Sequence, residues 1–130
     1  MLLQSLEGAT NTGAIVQINP TGGVTLSAAD MFTQFIEFIM ATAAATATTD
    51  TAANIVSVYA GAQVNDKFPL RFCNSTTTVI TLAGAAAVGG TTGAVTIVGT
   101  ATIAAGAGAT FMVVLTNVTA GTQTVSLYLA

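Results

Sequence analysis

Charged residues are unusually scarce in this sequence. They make up 5% of the chain, with two Lys or Arg against five Asp or Glu, whereas about a quarter of a typical globular domain is charged. This balance argues against nucleic-acid binding, because neutralising phosphates requires clustered basic residues. A monomer with so little surface charge is also poorly protected against association. The composition therefore predicts that much of the surface is buried on a partner or on other copies of the chain.

The residues that most often carry catalysis are missing or isolated. Histidine is absent, so the commonest general base is lacking. The acids lie far apart in the sequence, and there is no dense Asp/Asn loop that would ligate a metal ion. Cys73 is the only cysteine, and its position in a strand-like segment predicts a small buried hydrophobe. The sequence predicts a protein that is not an enzyme and has no catalytic, cofactor-binding or metal-binding residues.

Long hydrophobic runs are missing as well. The apolar stretch from Met31 to Met40 is too short to span a bilayer and contains Glu37. The first residues have neither the basic region nor the long apolar run of a signal peptide. The glycine-rich stretch 89–93 lacks the Lys and the glycine spacing of a phosphate-binding loop. No membrane partner is therefore predicted.

What the sequence does contain is a series of short apolar segments in its C-terminal half. Runs of this length, with turn residues between them, predict antiparallel strands. The segments are 68–72, 79–82, 95–98, 100–103, 110–115 and 124–129. They predict a mainly β protein, either a small antiparallel β-sandwich or a barrel-like roll. We expect Leu70, Phe72, Phe111, Val113 and Leu127 to lie in its core.

One or two short helices are predicted in the N-terminal half. Ser27 is a candidate N-cap for a helix over residues 28–33, and Asp50 precedes a three-turn helical pattern that ends before Gly61. Residues 34–40 favour a strand, because they are rich in β-branched and aromatic side chains. Residues 41–49 contain only Ala and Thr, which predicts a loop.

Residues 1–23 are predicted to form an N-terminal arm that precedes a single β-rich domain over residues 24–130. Gly and Pro punctuate the arm and leave only residues 14–18 as a candidate strand. Two interpretations stay open: a terminal strand packed on its own domain, or a segment that reaches a neighbouring subunit. In the second, the candidate contact residues are Leu2, Leu3, Leu6, Ile15 and Ile18.

Five stretches between residues 48 and 121 carry a family resemblance through their order. They are Thr48-Thr49-Asp50-Thr51-Ala52-Ala53-Asn54-Ile55-Val56, Phe68-Pro69-Leu70-Arg71-Phe72-Cys73-Asn74-Ser75-Thr76, Ile80-Thr81-Leu82-Ala83-Gly84, Val95-Thr96-Ile97-Val98-Gly99-Thr100-Ala101-Thr102-Ile103-Ala104-Ala105-Gly106 and Phe111-Met112-Val113-Val114-Leu115-Thr116-Asn117-Val118-Thr119-Ala120-Gly121. Through them the chain resembles small phage virion proteins that decorate or cement the capsid or form short head fibres.

The resemblance implies a short helix, then strands with a hairpin around residues 99–106, then a final pair of strands. It further implies an oligomer, a homotrimer above all, bound to the major capsid protein on the outer surface of the phage head. The expected function is a decoration or cement protein that stabilises the shell. The alternative is a phage tail-fibre or receptor-binding module, which would expose aromatic and polar residues on loops, whereas the loops here are Ala, Gly and Thr.

Overall fold

The computed structural model describes residues 15–88 and 93–130 as a mainly β protein with two sheets and two short helices. The elements are β1 (Val16–Ile18), β2 (Val24–Thr25), α1 (Ala28–Phe32), β3 (Phe35–Phe38), β4 (Ala45–Thr48), α2 (Ala52–Val58), β5 (Lys67–Asn74), β6 (Ile80–Ala83), β7 (Val95–Val98), β8 (Thr102–Ile103), β9 (Gly108–Asn117) and β10 (Thr124–Leu129). The predicted fold class, a small mainly β sandwich with short helices, is confirmed.

The chain alternates between the two sheets through its first six strands. Sheet one has the order β1-β3-β5-β9-β10-β7, and sheet two has the order β2-β4-β6-β8. Strands β1, β3 and β5 are parallel neighbours, and so are β2, β4 and β6. The prediction of antiparallel pairing is therefore wrong for five of the eight strand pairs. Turn residues show where a chain turns, but not whether the next strand pairs with the last one or crosses to the opposite sheet.

The C-terminal strands complete both sheets. Strands β9 and β10 form the expected final antiparallel pair. The hairpin expected around residues 99–106 does not form, because β7 lies in sheet one beside β10 whereas β8 lies in sheet two beside β6. The two sheets approach each other between the end of β6 and the start of β7. A Cβ added at Gly84, directly after β6, would lie 1.8 Å from the Val95 carbonyl oxygen. Only glycine permits this approach of the two backbones.

Helices α1 and α2 begin in the same way and lie side by side. The Ser27 hydroxyl accepts from the Asp30 N–H at 3.1 Å, and the Thr51 hydroxyl accepts from the Asn54 N–H at 3.2 Å. Ser27 is therefore an N-cap as predicted, and Thr51 rather than Asp50 caps the second helix. Together with the loop over residues 59–66, the two helices form what we call the helical end of the sandwich.

The core lies between the two sheets and is dominated by large apolar side chains. Phe38 stacks on Phe72 with ring centroids 5.7 Å apart, and Phe72 meets Phe111 edge to face at 6.0 Å. All five predicted core residues are fully buried, which confirms that prediction: Leu70, Phe72, Phe111, Val113 and Leu127. Alternation of buried and exposed positions along β5 and β9 is the reason that the sequence pattern located them.

Two local predictions are wrong. The Ala/Thr stretch over residues 41–49 is not a loop throughout, because Ala45–Thr48 form β4 in the middle of sheet two. Its small side chains suit the space there, and Ala47 is fully buried. Cys73 is not a buried hydrophobe: it lies at an outward position of β5 and is only half-buried.

The described part of the predicted arm reaches the sheet. Val16–Ile18 form β1, which pairs in parallel with β3 at the edge of sheet one. Val16 and Ile18 are half-buried against the core. The candidate strand over residues 14–18 is therefore seen in these three residues, packed on its own domain.

Replacing Phe111 by alanine is expected to lower the free energy of unfolding by about 3–5 kcal/mol, because the change leaves a cavity at a fully buried site. Val114→Ala on the same strand is the matched control, since Val114 occupies a half-buried outward position, and we expect it to cost under about 1 kcal/mol. Denaturant unfolding monitored by circular dichroism measures both. Equal costs for the two variants would contradict this assignment of the core.

Candidate functional site

Among residues 15–88 and 93–130, no three or more His, Cys, Asp or Glu side chains form a group that could hold a metal ion. On the outward face of sheet one, the Glu37 carboxylate accepts from the Ser75 hydroxyl at 2.5 Å and from the Gln17 amide at 2.9 Å. These hydrogen bonds hold the pKa of Glu37 below its ordinary value. Glu37 is therefore a poor proton acceptor.

A second cluster joins the two helix N-termini through Asp50. Its carboxylate accepts from the Ala28 N–H in the first turn of α1, from the Thr51 N–H and from the Asn54 side chain, each at 2.8 Å. Partial burial raises the pKa of Asp50, but these three hydrogen bonds outweigh it, and the pKa lies below its ordinary value. A carboxylate near two helix N-termini is also favoured by their dipoles. Asp50 therefore stabilises the helical end.

The third cluster is centred on Asn74, which is fully buried at the end of β5. Its amide nitrogen donates to the carbonyls of Thr78, Ile103 and Ala104 at 2.8, 2.9 and 3.2 Å. Its amide oxygen accepts from the Thr76 N–H and hydroxyl at 3.0 and 2.6 Å. Asn74 thus ties the end of a sheet one strand to β8 of sheet two. Its amide is therefore used for hydrogen bonds within the folded protein and is not accessible from solvent.

Charge is distributed very unevenly over the molecule. Arg71 is the last charged residue of the sequence, so residues 72–130 carry no charge at all. Half of sheet one, formed by β9, β10 and β7, is built from this stretch. The described charges lie instead on β3 and β5 and at the helical end. The surface is therefore divided into a charged part and a large uncharged part.

An apolar row crosses the outward face of sheet one, from β5 into its uncharged half. Strand register places Val98 beside Tyr128, Tyr128 beside Met112, and Met112 beside Pro69. Val98 is 43% exposed and Tyr128 is 42% exposed. The outward face of a solvated sheet is normally polar. These four adjacent apolar positions, here called the apolar row, depart from that polar pattern.

The sequence-predicted contact residues are only partly within the described chain. Leu2, Leu3 and Leu6 lie outside the described residues. Ile15 is 52% exposed next to β1, whereas Ile18 is half-buried within it. The apolar row was missed, because its members are far apart in sequence. The one sequence signal that pointed to it is the absence of charge after Arg71.

Comparisons of the chain with known protein families, with curated proteins and with solved structures found no match. Within the described residues, neither helix has the length and apolar character needed to cross a membrane.

Replacing Asn74 by alanine is expected to destabilise the protein by about 3 kcal/mol or more, because several buried partners lose their hydrogen bonds at once. Asn117→Ala is the matched control. The Asn117 side chain accepts a single hydrogen bond, from the Thr119 N–H at 2.9 Å, so its loss is expected to cost about 1 kcal/mol or less. Thermal and denaturant unfolding of both variants decide the matter, and a near-neutral Asn74 variant would show that Asn74 does not hold the sheets together.

Stability is expected to fall in acid through Asp50. Because its folded pKa is lowered, its contribution is present above the unfolded pKa of about 3.9 and is lost as pH drops through the folded value. Asp50→Asn should reduce this acid-dependent loss and lower stability at pH 7 by about 1–2 kcal/mol. Unfolding midpoints between pH 7 and pH 3 provide the measurement. Asp30→Asn, at the same helical end, is the control that should keep the acid-dependent loss.

Proposed function

We propose that this chain is a structural virion protein, a decoration or cement protein that binds the major capsid protein on the outer surface of a phage head. The observation that carries the proposal is the uncharged half of sheet one with its exposed apolar row. A surface of this kind is suited to contact, because desolvating it requires no charge to be buried. The resemblance of residues 48–121 to phage decoration proteins supplies the partner.

The polar side chains are consistent with a role that needs no reaction. Asn74 is committed to hydrogen bonds between the sheets, and Asp50 is committed to the helix N-termini. Glu37 is held in its charged form by Ser75 and Gln17. Such a protein acts by mass action: binding only the assembled shell stabilises that shell. Many copies around symmetry axes add modest affinities together.

The proposal includes self-association as a homotrimer and a contribution of the first residues to capsid contact. Leu2, Leu3 and Leu6 are the contact candidates there, together with Ile15. Ile18 is the weakest candidate, because its side chain is half-buried in β1 against the protein's own core.

The decisive experiment is electron microscopy of particles incubated with the purified protein. We expect added density at repeated positions on the capsid faces and a higher temperature of shell disruption, because the bound protein stabilises the assembled state. Density on the tail would instead support a tail-fibre or receptor-binding module and would overturn the proposal.

A shortened chain that starts at Ile15 is the informative variant for this experiment. It retains β1 and all later elements, so circular dichroism should show an unchanged β signal. Weaker binding to capsids would assign contact to Leu2, Leu3 and Leu6. Unchanged binding would place the capsid contact on the β domain.

A further inference from the structure

The chain's two cations lie on the same face as the apolar row. Lys67, Pro69 and Arg71 are exposed at alternate positions of β5, and Pro69 is a member of the row. The two cations are about 13 Å apart along the strand. Within the described residues neither forms an ion pair; Arg71 donates to the Thr110 hydroxyl at 3.0 Å. The Asp66 carboxylate accepts from the Gln63 N–H at 2.8 Å.

The complementary surface is present on the same molecule, at the helical end. Phe32, Val58 and Val64 are 39%, 36% and 52% exposed there. Asp30 lies in the first turn of α1, two residues before Phe32, and its carboxylate has no hydrogen bond or ion pair within the described chain. Asp66 adds a second acid. The helical end therefore offers exposed apolar side chains next to acids, whereas the outward face of sheet one offers an apolar row next to the cations.

We propose that copies of this chain assemble head to tail, with the outward face of sheet one of one copy packed against the helical end of the next. The inference rests on the self-association in the proposed function and names its two surfaces. An interface between two different patches generates a ring when the rotation closes. Complementary charge favours this arrangement, because packing the cationic face against its own copy would bring like charges together.

Strand addition at the β7 edge is the main alternative contact, and the structure disfavours it. The Val95 N–H already donates to the Ala85 carbonyl at 2.9 Å. The Val95 carbonyl oxygen is covered by the close approach of Gly84. An added strand would therefore find the beginning of this edge occupied, which leaves the face of the sheet as the larger available surface.

The size of the surface sets the expected strength. Strands β5, β9, β10 and β7 span three interstrand spacings, about 14 Å. The apolar row alone is therefore smaller than the ~800 Å² per partner of a standard stable interface. Lys67 and Arg71, which lie beside the row, must therefore contribute to the interface. We expect association at micromolar or higher concentration that weakens as salt is added.

The test is the molar mass of the full-length chain, measured by light scattering after size exclusion, for a set of variants. Tyr128→Ser and Arg71→Glu should each raise the dissociation constant about tenfold. Asp30→Lys should do the same, and the double variant R71E/D30K should recover association because the charges are exchanged between the two surfaces. Thr102→Glu is the control on sheet two; Thr102 is exposed on β8 and belongs to neither surface, so association should be unchanged.

Each result bears on the inference. A monomeric parent chain overturns it, as do single variants that associate as well as the parent, and so does a double variant that fails to recover. If Tyr128→Ser loses its fold by circular dichroism, Val98→Ser tests the same row.

Particle binding separates this inference from the proposed function. Variants that stay associated but no longer bind capsids would show that the row docks on the shell, whereas an associating parent that binds no capsid would overturn the function alone.

Discussion

The fold depends on one buried amide. Asn74 is the point at which the two sheets are connected by side-chain hydrogen bonds, because its nitrogen reaches the carbonyls at the end of β8 while its backbone belongs to β5. A fully satisfied polar group in a core admits few alternative arrangements, since any shift leaves a buried donor or acceptor unpaired. Apolar contacts between the sheets, such as Phe72 against Phe111, are less demanding of position. Asn74 therefore sets the register of one sheet relative to the other.

The opposite end of the sandwich is held by a charge. Asp50 accepts from the N-termini of both helices, so one carboxylate positions α1 and α2 together. The outward face of sheet one carries side-chain hydrogen bonds around Glu37, between Arg71 and Thr110, and between Thr116 and Thr124. The apolar row occupies this face. The side chains of the row take part in none of these hydrogen bonds, as expected of a contact surface.

The composition is rich in small residues as well as poor in charge, and small residues take part in the core. Ala47 is fully buried on β4, and Gly84, directly after β6, allows the Val95 backbone to approach closely. The connections that carry the chain between the sheets from β1 to β6 contain three charged residues, Asp30, Asp50 and Asp66. The same composition leaves the surface with few charges to oppose association.

The sequence by itself determined the secondary structure of most segments, the five core residues and the Ser27 cap, because burial and capping are local patterns. It also shows that the chain has no histidine to act as a general base. Strand pairing was decided only by the tertiary structure: the alternation along β5 predicts a strand, but nothing in it says that β3 is its parallel neighbour. From the sequence alone, Asn74 has the character of a turn residue. Nothing in the sequence shows that four distant residues become neighbours: Pro69, Met112, Tyr128 and Val98. Which side chains become neighbours depends on the register between strands distant in sequence, and no local pattern encodes that register.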